Sequence, residues 1–261
     1  MTKGQIGQDF TNQQQRIIQP ESPQLTVDID IKNPKQYKEI WEKNKAVNVP
    51  DLIPQHQLDE IWDYYYTQPN NWWDHVIHPD PFFDYENADP DYYHMNFLSE
   101  NDPTFEERDN HARSFNKDGK FSYQYFRTDS NKGKQHPYLS VFQHPTFISF
   151  LEFVTGLEDL KVDMNRTFIS NYQEGHYNGP HTDGTNGRIA FVFHMTKNWR
   201  PEYGGVFMRT DWDYKTVNKA ITPVYNTLTM FDTSDGGAPH LVTEVVKGCD
   251  NKRISYTGWY L

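Results

Sequence analysis

The chain has 261 residues and a net charge of −11, with 36 acidic against 25 basic residues, which disfavours nucleic-acid and polybasic membrane partners. Aromatic residues make up 16 % of it, so there is material for a large core despite a mean hydropathy of −0.89. A lone cysteine, Cys249, excludes an intrachain disulfide, and the absence of a membrane-length apolar run or a secretory h-region leads us to expect a cytoplasmic protein.

Residues 1–24 contain many Gln and lack periodicity, so they read as an N-terminal arm. Leu25 to Ile31 (LTVDIDI) alternates as a half-buried strand does, and Ala46 to Ile53 reads as a second strand. A helix is expected from Gln55 to Gln68, with Leu58, Ile61, Trp62 and Tyr65 on one stripe. From 69 to 137 the chain is dense in Pro, Asp, Asn and aromatic residues with poor period. That stretch reads as an aromatic insert of loops with short helical or strand pieces, and so long a connection is a candidate lid. His144 to Gly156 is expected to be a helix, with Phe147, Phe150, Leu151 and Val154 on one face and Gly156 as its stop.

Beyond Leu160 the pattern becomes a run of strands: Met164–Tyr172, Arg188–Met195, Gly205–Arg209, Thr227–Phe231, Leu241–Val246 and Arg253–Tyr260. The segments GHYNGP, DGTNG, RPEYGG, SDGGAP and KGCDN read as the turns between them. The expected fold is mainly β with flanking helices, a double-stranded β-helix or jelly roll. It would form a single domain over 25–261, with a catalytic β core at 160–261.

The chemistry concentrates in this last part. His181 and Asp183 stand two apart near a strand end, and on a strand such residues face the same way. His240 follows GGAP and precedes the apolar LVTEVV, again at a strand mouth. Two imidazoles and one carboxylate on one face of an ion suit non-haem Fe(II), leaving positions for a co-substrate and dioxygen. Arg253 lies inside the final apolar strand RISYTGWYL, where a charge is costly unless paired. Its planar fork fits a carboxylate, and Ser255 shares its face. A structural ion pair is the alternative for Arg253 taken alone. Tyr172, in NYQEG, is either a further donor to the same anion or a core tyrosine.

Several motifs in one order make Asn165–Leu261 resemble the prolyl-hydroxylase-like group of 2-oxoglutarate/Fe(II) oxygenases. They are Tyr172-Gln173-Glu174-Gly175, the HxD of His181 and Asp183, and Arg188 leading into an apolar strand. The turn Trp199-Arg200-Pro201-Glu202-Tyr203-Gly204-Gly205, the segment Pro223 to Phe231 and the closing Arg253 to Trp259 complete the set. The resemblance implies Fe(II) on His181, Asp183 and His240, and 2-oxoglutarate with its distal carboxylate on Arg253. Tyr172 and Ser255 would help, and His194 would stand where the family often has a tyrosine. Dioxygen would be consumed, with ascorbate (vitamin C) in support. A carboxylate at Asp183 closes the position that halide takes in related halogenases, so oxygen-derived oxidation is implied.

The expected activity is hydroxylation of a prolyl or related amino-acid unit, in a protein or free. One alternative is an oxygenase of a small biosynthetic metabolite, and another is a non-catalytic jelly-roll binding module. A cupin-type metal protein without 2-oxoglutarate is disfavoured by Arg253 and Ser255. Asn178, Arg188 and Arg127 are candidates to line the substrate pocket, together with the aromatic insert.

Overall fold

In the computed structural model the strand Arg253–Tyr260 divides the protein into two environments. Ile254, Tyr256 and Tyr260 point to one side and are fully buried against helices. Arg253, Ser255, Thr257 and Trp259 point to the other, where they line a cavity. The strand's period of two is therefore split between core and site. The structure describes residues 31–84, 97–98, 102–129, 133–184, 186–234 and 237–261. The N-terminal arm and nearly all of Leu25–Ile31 lie outside that set.

Four α-helices and twelve strands follow in chain order among the described residues. They are α1 Pro34–Asn44, β1 Ala46–Pro50, α2 Gln55–Tyr66, β2 Asp74–His78, β3 Phe97–Leu98, α3 Phe105–Lys117, β4 Tyr123–Asp129 and α4 Pro145–Thr155. Then come β5 Phe168–Tyr172, β6 Tyr177–His181, β7 Ile189–His194, β8 Phe207–Thr210, β9 Val217–Ile221, β10 Thr227–Asp232, β11 His240–Val242 and β12 Arg253–Tyr260.

The last eight strands make two antiparallel ladders, β10-β7-β12-β5 and β6-β11-β8-β9. Apart from the β8–β9 hairpin, successive strands pass between the ladders, which is the jelly-roll arrangement. The first ladder turns Phe191, Phe193, Leu228, Met230, Ile254 and Tyr256 onto the helices. Burying each such side chain contributes about 1.5–3 kcal/mol. The stripe of α2 (Leu58, Ile61, Trp62, Tyr65) and that of α4 (Phe147, Phe150, Leu151, Val154) join this core as the sequence predicts. Helix α4 begins on His144, whose Nδ1 accepts from Thr146 N at 3.2 Å, and ends on Gly156 in the left-handed region.

Three readings of the sequence need revision. The region 69–137 is not wholly an insert: β2 and β4 belong to the sheet. The end of β4 pairs with β5, from Phe126↔Asn171 to Asp129↔Phe168, while its start pairs with β6 at Tyr123↔Asn178. One strand thus bridges both ladders, and every residue of β4 is buried. Its polar residues Gln124, Arg127, Thr128 and Asp129 hide its strand pattern in the sequence. The second revision is GHYNGP, which reads as a turn but contains β6, because the pairing with β4 and β11 outweighs the local preference of Asn, Gly and Pro. The third is β11, which is shorter than Leu241–Val246 and starts at His240 itself.

Candidate active site

His181 is the last residue of β6 and His240 the first of β11, and the two are direct register partners. Their rings lie 4.1 Å apart between centroids. Asp183 sits just past the end of β6, with Oδ1 at 4.0 Å from His181 Nε2 and 3.9 Å from His240 Nε2. The three ligand atoms fall within 4.8 Å of one another. Backbone carbonyls fix both imidazoles: His181 Nδ1 donates to Gly179 O at 2.8 Å, and His240 Nδ1 to Ala238 O at 2.7 Å. With the proton held on Nδ1, each Nε2 lone pair is free and turned towards Asp183.

Electrostatics agree with that assignment. Burial, and then the neighbouring His240, lower His181 to about 4, and burial lowers His240 to about 4. Both rings are neutral near pH 7, as metal ligands must be. Burial pushes the Asp183 carboxyl up, against His181 and the Trp259 indole, and Asp183 Oδ2 has no hydrogen-bond partner. A buried carboxylate with an unused oxygen beside two oriented imidazoles fits a divalent cation.

Arg253 starts β12 opposite Tyr172 on β5. It is 2 % exposed, its guanidinium carbon lies 4.9 Å from the Tyr172 ring centroid, and its Nε has no partner. Among the described residues no carboxylate pairs with it, so the structural ion pair considered from sequence is not formed. Burial lowers its pKa to about 10. Gly205, at φ 59°, leaves room for the arginine stem: a Cβ there would be 2.9 Å from Arg253 Cδ and 3.0 Å from Trp199. The Trp199–Gly205 turn thereby shapes the cation's channel.

A cavity of about 440 Å³ joins the triad to Arg253. Ser255 lines it and shares a 2.8 Å hydrogen bond with Ser170. Tyr172 stacks on Tyr125, centroids 4.8 Å apart and planes 12° apart. Burial raises the Tyr172 phenol, keeping it a neutral donor. His194 pairs in register with Ser255, is held by Thr229 Oγ1 at 3.3 Å through Nε2, and leaves Nδ1 unpartnered. Burial, and then Arg253, hold it neutral.

The substrate candidates separate. Asn178 and Arg127 line the cavity. Arg127 is ion-paired with Asp129 and lies with its guanidinium 4.0 Å over Phe168. Arg188 is elsewhere: its guanidinium donates to Glu158 O at 2.8 Å on an exposed surface, away from the cavity lining. Tyr123 and Tyr125, from the stretch 69–137 expected to line the pocket, form cavity walls, whereas sequence reading missed Phe168 and Trp259. The parity of β12 was the available signal for Trp259, since it shares Arg253's face.

The family model described as the 2OG-Fe(II) oxygenase superfamily matches residues 167–261, the stretch that carries the triad and Arg253. Solved structures resemble the chain over most of its length. A 2OG-Fe(II) oxygenase family protein from Burkholderia pseudomallei has TM-score 0.55 and 14 % identity, covering 89 % of this chain and 92 % of that one. A Pseudomonas putida prolyl-4-hydroxylase has TM-score 0.51 and 15 % identity, covering 87 % and 97 %. A Trichoplax adhaerens prolyl hydroxylase, solved with a peptide fragment of hypoxia inducible factor, has TM-score 0.51 and 13 % identity, covering 87 % and 88 %. At these identities the likeness concerns the fold. No curated protein matches the chain in sequence. No helix among the described residues is long and apolar enough to cross a membrane.

Proposed function

We propose that this oxygenase is a 2-oxoglutarate- and Fe(II)-dependent hydroxylase of a prolyl or related amino-acid unit. The observation that carries the reading is the meeting of two complementary donor sets in one cavity. Two neutral imidazoles and a carboxylate suit a cation, and a buried guanidinium without an acid partner suits an anion. His181, Asp183 and His240 would hold Fe(II). When bound, it supplies the oxidation of a substrate C–H bond, coupled to conversion of 2-oxoglutarate and O2 to succinate and CO2.

The chain's own residues do the rest. Arg253 neutralises the distal carboxylate of 2-oxoglutarate, and the hydroxyls of Ser255 and Tyr172 complete its coordination. The unpartnered Nδ1 of His194 is a further donor one strand away. These contacts fix the co-substrate at one end of the cavity, so that its other end reaches the triad. Phe121, Tyr123, Tyr125, Phe168 and Trp259 supply aromatic walls. Such walls pack the CH groups of a pyrrolidine ring and exclude water from the reacting centre. Likeness in fold to two prolyl hydroxylases and the motif order of the last strands support a prolyl substrate.

The test is a panel of proline-containing peptides and free amino acids incubated with Fe(II), 2-oxoglutarate and O2. Gain of one oxygen on a prolyl residue, matched by equimolar succinate, is the expected result. Succinate formation stimulated only by compounds lacking any amino-acid unit would contradict the substrate class.

A further inference from the structure

The chain as a whole is acidic, with 36 acidic against 25 basic residues, yet the cavity is not. Among the described residues its lining carries three arginines, Arg127, Arg166 and Arg253, against a single carboxylate, Asp183. In the function proposed above, Asp183 goes to the metal and Arg253 to the distal carboxylate of 2-oxoglutarate. The charges of a divalent metal and of 2-oxoglutarate match each other, and so do those of Asp183 and Arg253. Arg127 and Arg166 are left over on the wall. Their acidic neighbours Asp129 and Asp163 stand outside the lining.

Arg127 is the better placed of the two. Arg166 is half exposed, and its Nη1 reaches across to Asn186 Oδ1 at 3.3 Å. Arg127 is only 9 % exposed. Phe121, Tyr123, Tyr125 and Arg127 alternate along β4 and its lead-in, and all four line the cavity. At one end the Phe121 ring lies 5.1 Å from that of His181, and at the other the Arg127 guanidinium lies 4.0 Å over Phe168. This wall therefore runs from a metal ligand to a buried cation. Arg127 Nε donates to Asp129 Oδ1 at 2.9 Å, and Nη2 donates to the same oxygen. That grip takes one edge of the planar fork and fixes its orientation. No second carboxylate pairs with Arg127 among the described residues. Tyr125 beside it has a phenol that burial keeps protonated against the pull of Arg127, so it is a donor and not a competing anion. A buried ion pair contributes little to stability compared with apolar side chains of similar size. A guanidinium fixed along one edge can take a further carboxylate along the other.

We propose that the substrate of this site is a small free carboxylic acid whose carboxylate is received by Arg127. This rests on the reading of the cavity as a 2-oxoglutarate-dependent amino-acid hydroxylase, within which the substrate is an unincorporated amino acid rather than a residue inside a peptide. A residue within a peptide presents an amide where the free acid presents a carboxylate. The amide carries no charge to match Arg127, and the chain continuing beyond it has to pass the buried guanidinium and Phe168.

The probes are the proteinogenic L-amino acids, their α-amides, the corresponding acids without the amino group, and proline-containing peptides with both termini blocked. Succinate formation by the Fe(II)-loaded full chain gives kcat/KM for each probe. Melting of the protein with Mn(II) and 2-oxoglutarate reports binding independently of turnover. The expected result is that at least one free acid stimulates succinate formation and raises the melting temperature, while its amide is weaker by about thirtyfold or more in kcat/KM. The double variant Arg127→Met, Asp129→Asn removes both members of the pair and strands no buried charge. In it the preference for acid over amide collapses. A preference undiminished there overturns the assignment to Arg127. If the double variant does not fold, the acid-to-amide ratio of the wild type still decides: a ratio near one, or no free acid that acts, overturns the proposal. Blocked prolyl peptides hydroxylated as well as any free acid refute this inference alone and leave the amino-acid hydroxylase standing. Arg127-dependent turnover confined to acids without an amino group sustains the carboxylate site and refutes the amino-acid reading.

Discussion

Replacing Arg253 by methionine separates its structural and binding effects, because the two have opposite signs. The guanidinium is buried without an anion, and burial lowers its pKa from the ordinary value to about 10. That is roughly two to three pH units, and at about 1.4 kcal/mol per unit the charge costs the ligand-free fold on the order of 3 kcal/mol. Methionine removes the charge and keeps an unbranched stem against Trp199 and Gly205. What is lost is the cation over the Tyr172 ring, worth about 0.5–2 kcal/mol. The balance is a ligand-free protein more stable by about 1–2 kcal/mol, as expected when an uncompensated buried charge gives way to an apolar side chain. For a chain of this size each kcal/mol moves the melting temperature by about 2–4 °C. Binding moves the other way. With Mn(II) present, 2-oxoglutarate at a hundred times its Kd stabilises the wild type by about 2.7 kcal/mol, and Arg253→Met loses that increment. Thermal melts of both proteins, with Mn(II) and with or without 2-oxoglutarate, give all four values. Arg253→Met melting several degrees below the wild type, yet still stabilised by 2-oxoglutarate, would refute the reasoning.

Acid should destabilise the protein through histidines outside the candidate metal site as well as within it. Burial lowers His75 to about 4 and His176 to about 3, so between pH 6.5 and 4 the unfolded chain binds protons that the folded chain refuses. Their stabilising contribution is complete above pH 6.5 and declines below it, by about 1.4 kcal/mol per pH unit for each ring. Urea unfolding at pH 7 and pH 5 checks this, and equal stabilities would contradict it. Gly205→Ala places a methyl 2.9 Å from Arg253 Cδ on a left-handed backbone, so it should both destabilise the fold and raise the KM for 2-oxoglutarate. Selective loss of stability with an unchanged KM would dissociate that turn from the arginine. Among the substrate candidates, Arg127→Ala should impair coupled turnover, because Arg127 lines the cavity, whereas Arg188→Ala should leave KM and kcat near wild type. Steady-state kinetics with the best substrate from the panel distinguish the two.

The sequence made the helix-packed half of the fold legible because its signals are periodic. The stripes of α2 and α4, and the run Arg253–Tyr260, appear in the structure nearly as drawn from the alternation of their side chains. What failed were strands whose identity comes from their neighbours. Tyr123–Asp129 carries polar residues on both faces and becomes a strand by bridging two ladders. Tyr177–His181 contains Asn, Gly and Pro, and pairing overrides them. The candidate site divides in the same way. His181, Asp183, His240 and Arg253 were visible through spacing and strand-end placement, and the fold brings all four to one cavity. Arg188 was misleading because a charge next to an apolar strand can face outward, as it does here onto Glu158 O. Tyr125 was hidden because its relation to Tyr172 exists only across the β4–β5 pair.

The central claim is that one cavity holds a divalent metal on His181, Asp183 and His240 and 2-oxoglutarate on Arg253. Anaerobic calorimetric titration of 2-oxoglutarate into the Fe(II)-loaded full chain tests both halves together. The account predicts one 2-oxoglutarate bound per chain, with affinity strongly weakened when Fe(II) is omitted, when His240 is replaced by Ala, or when Arg253 is replaced by Met. Binding of equal strength in all four preparations, or no binding in the loaded wild type, would contradict it.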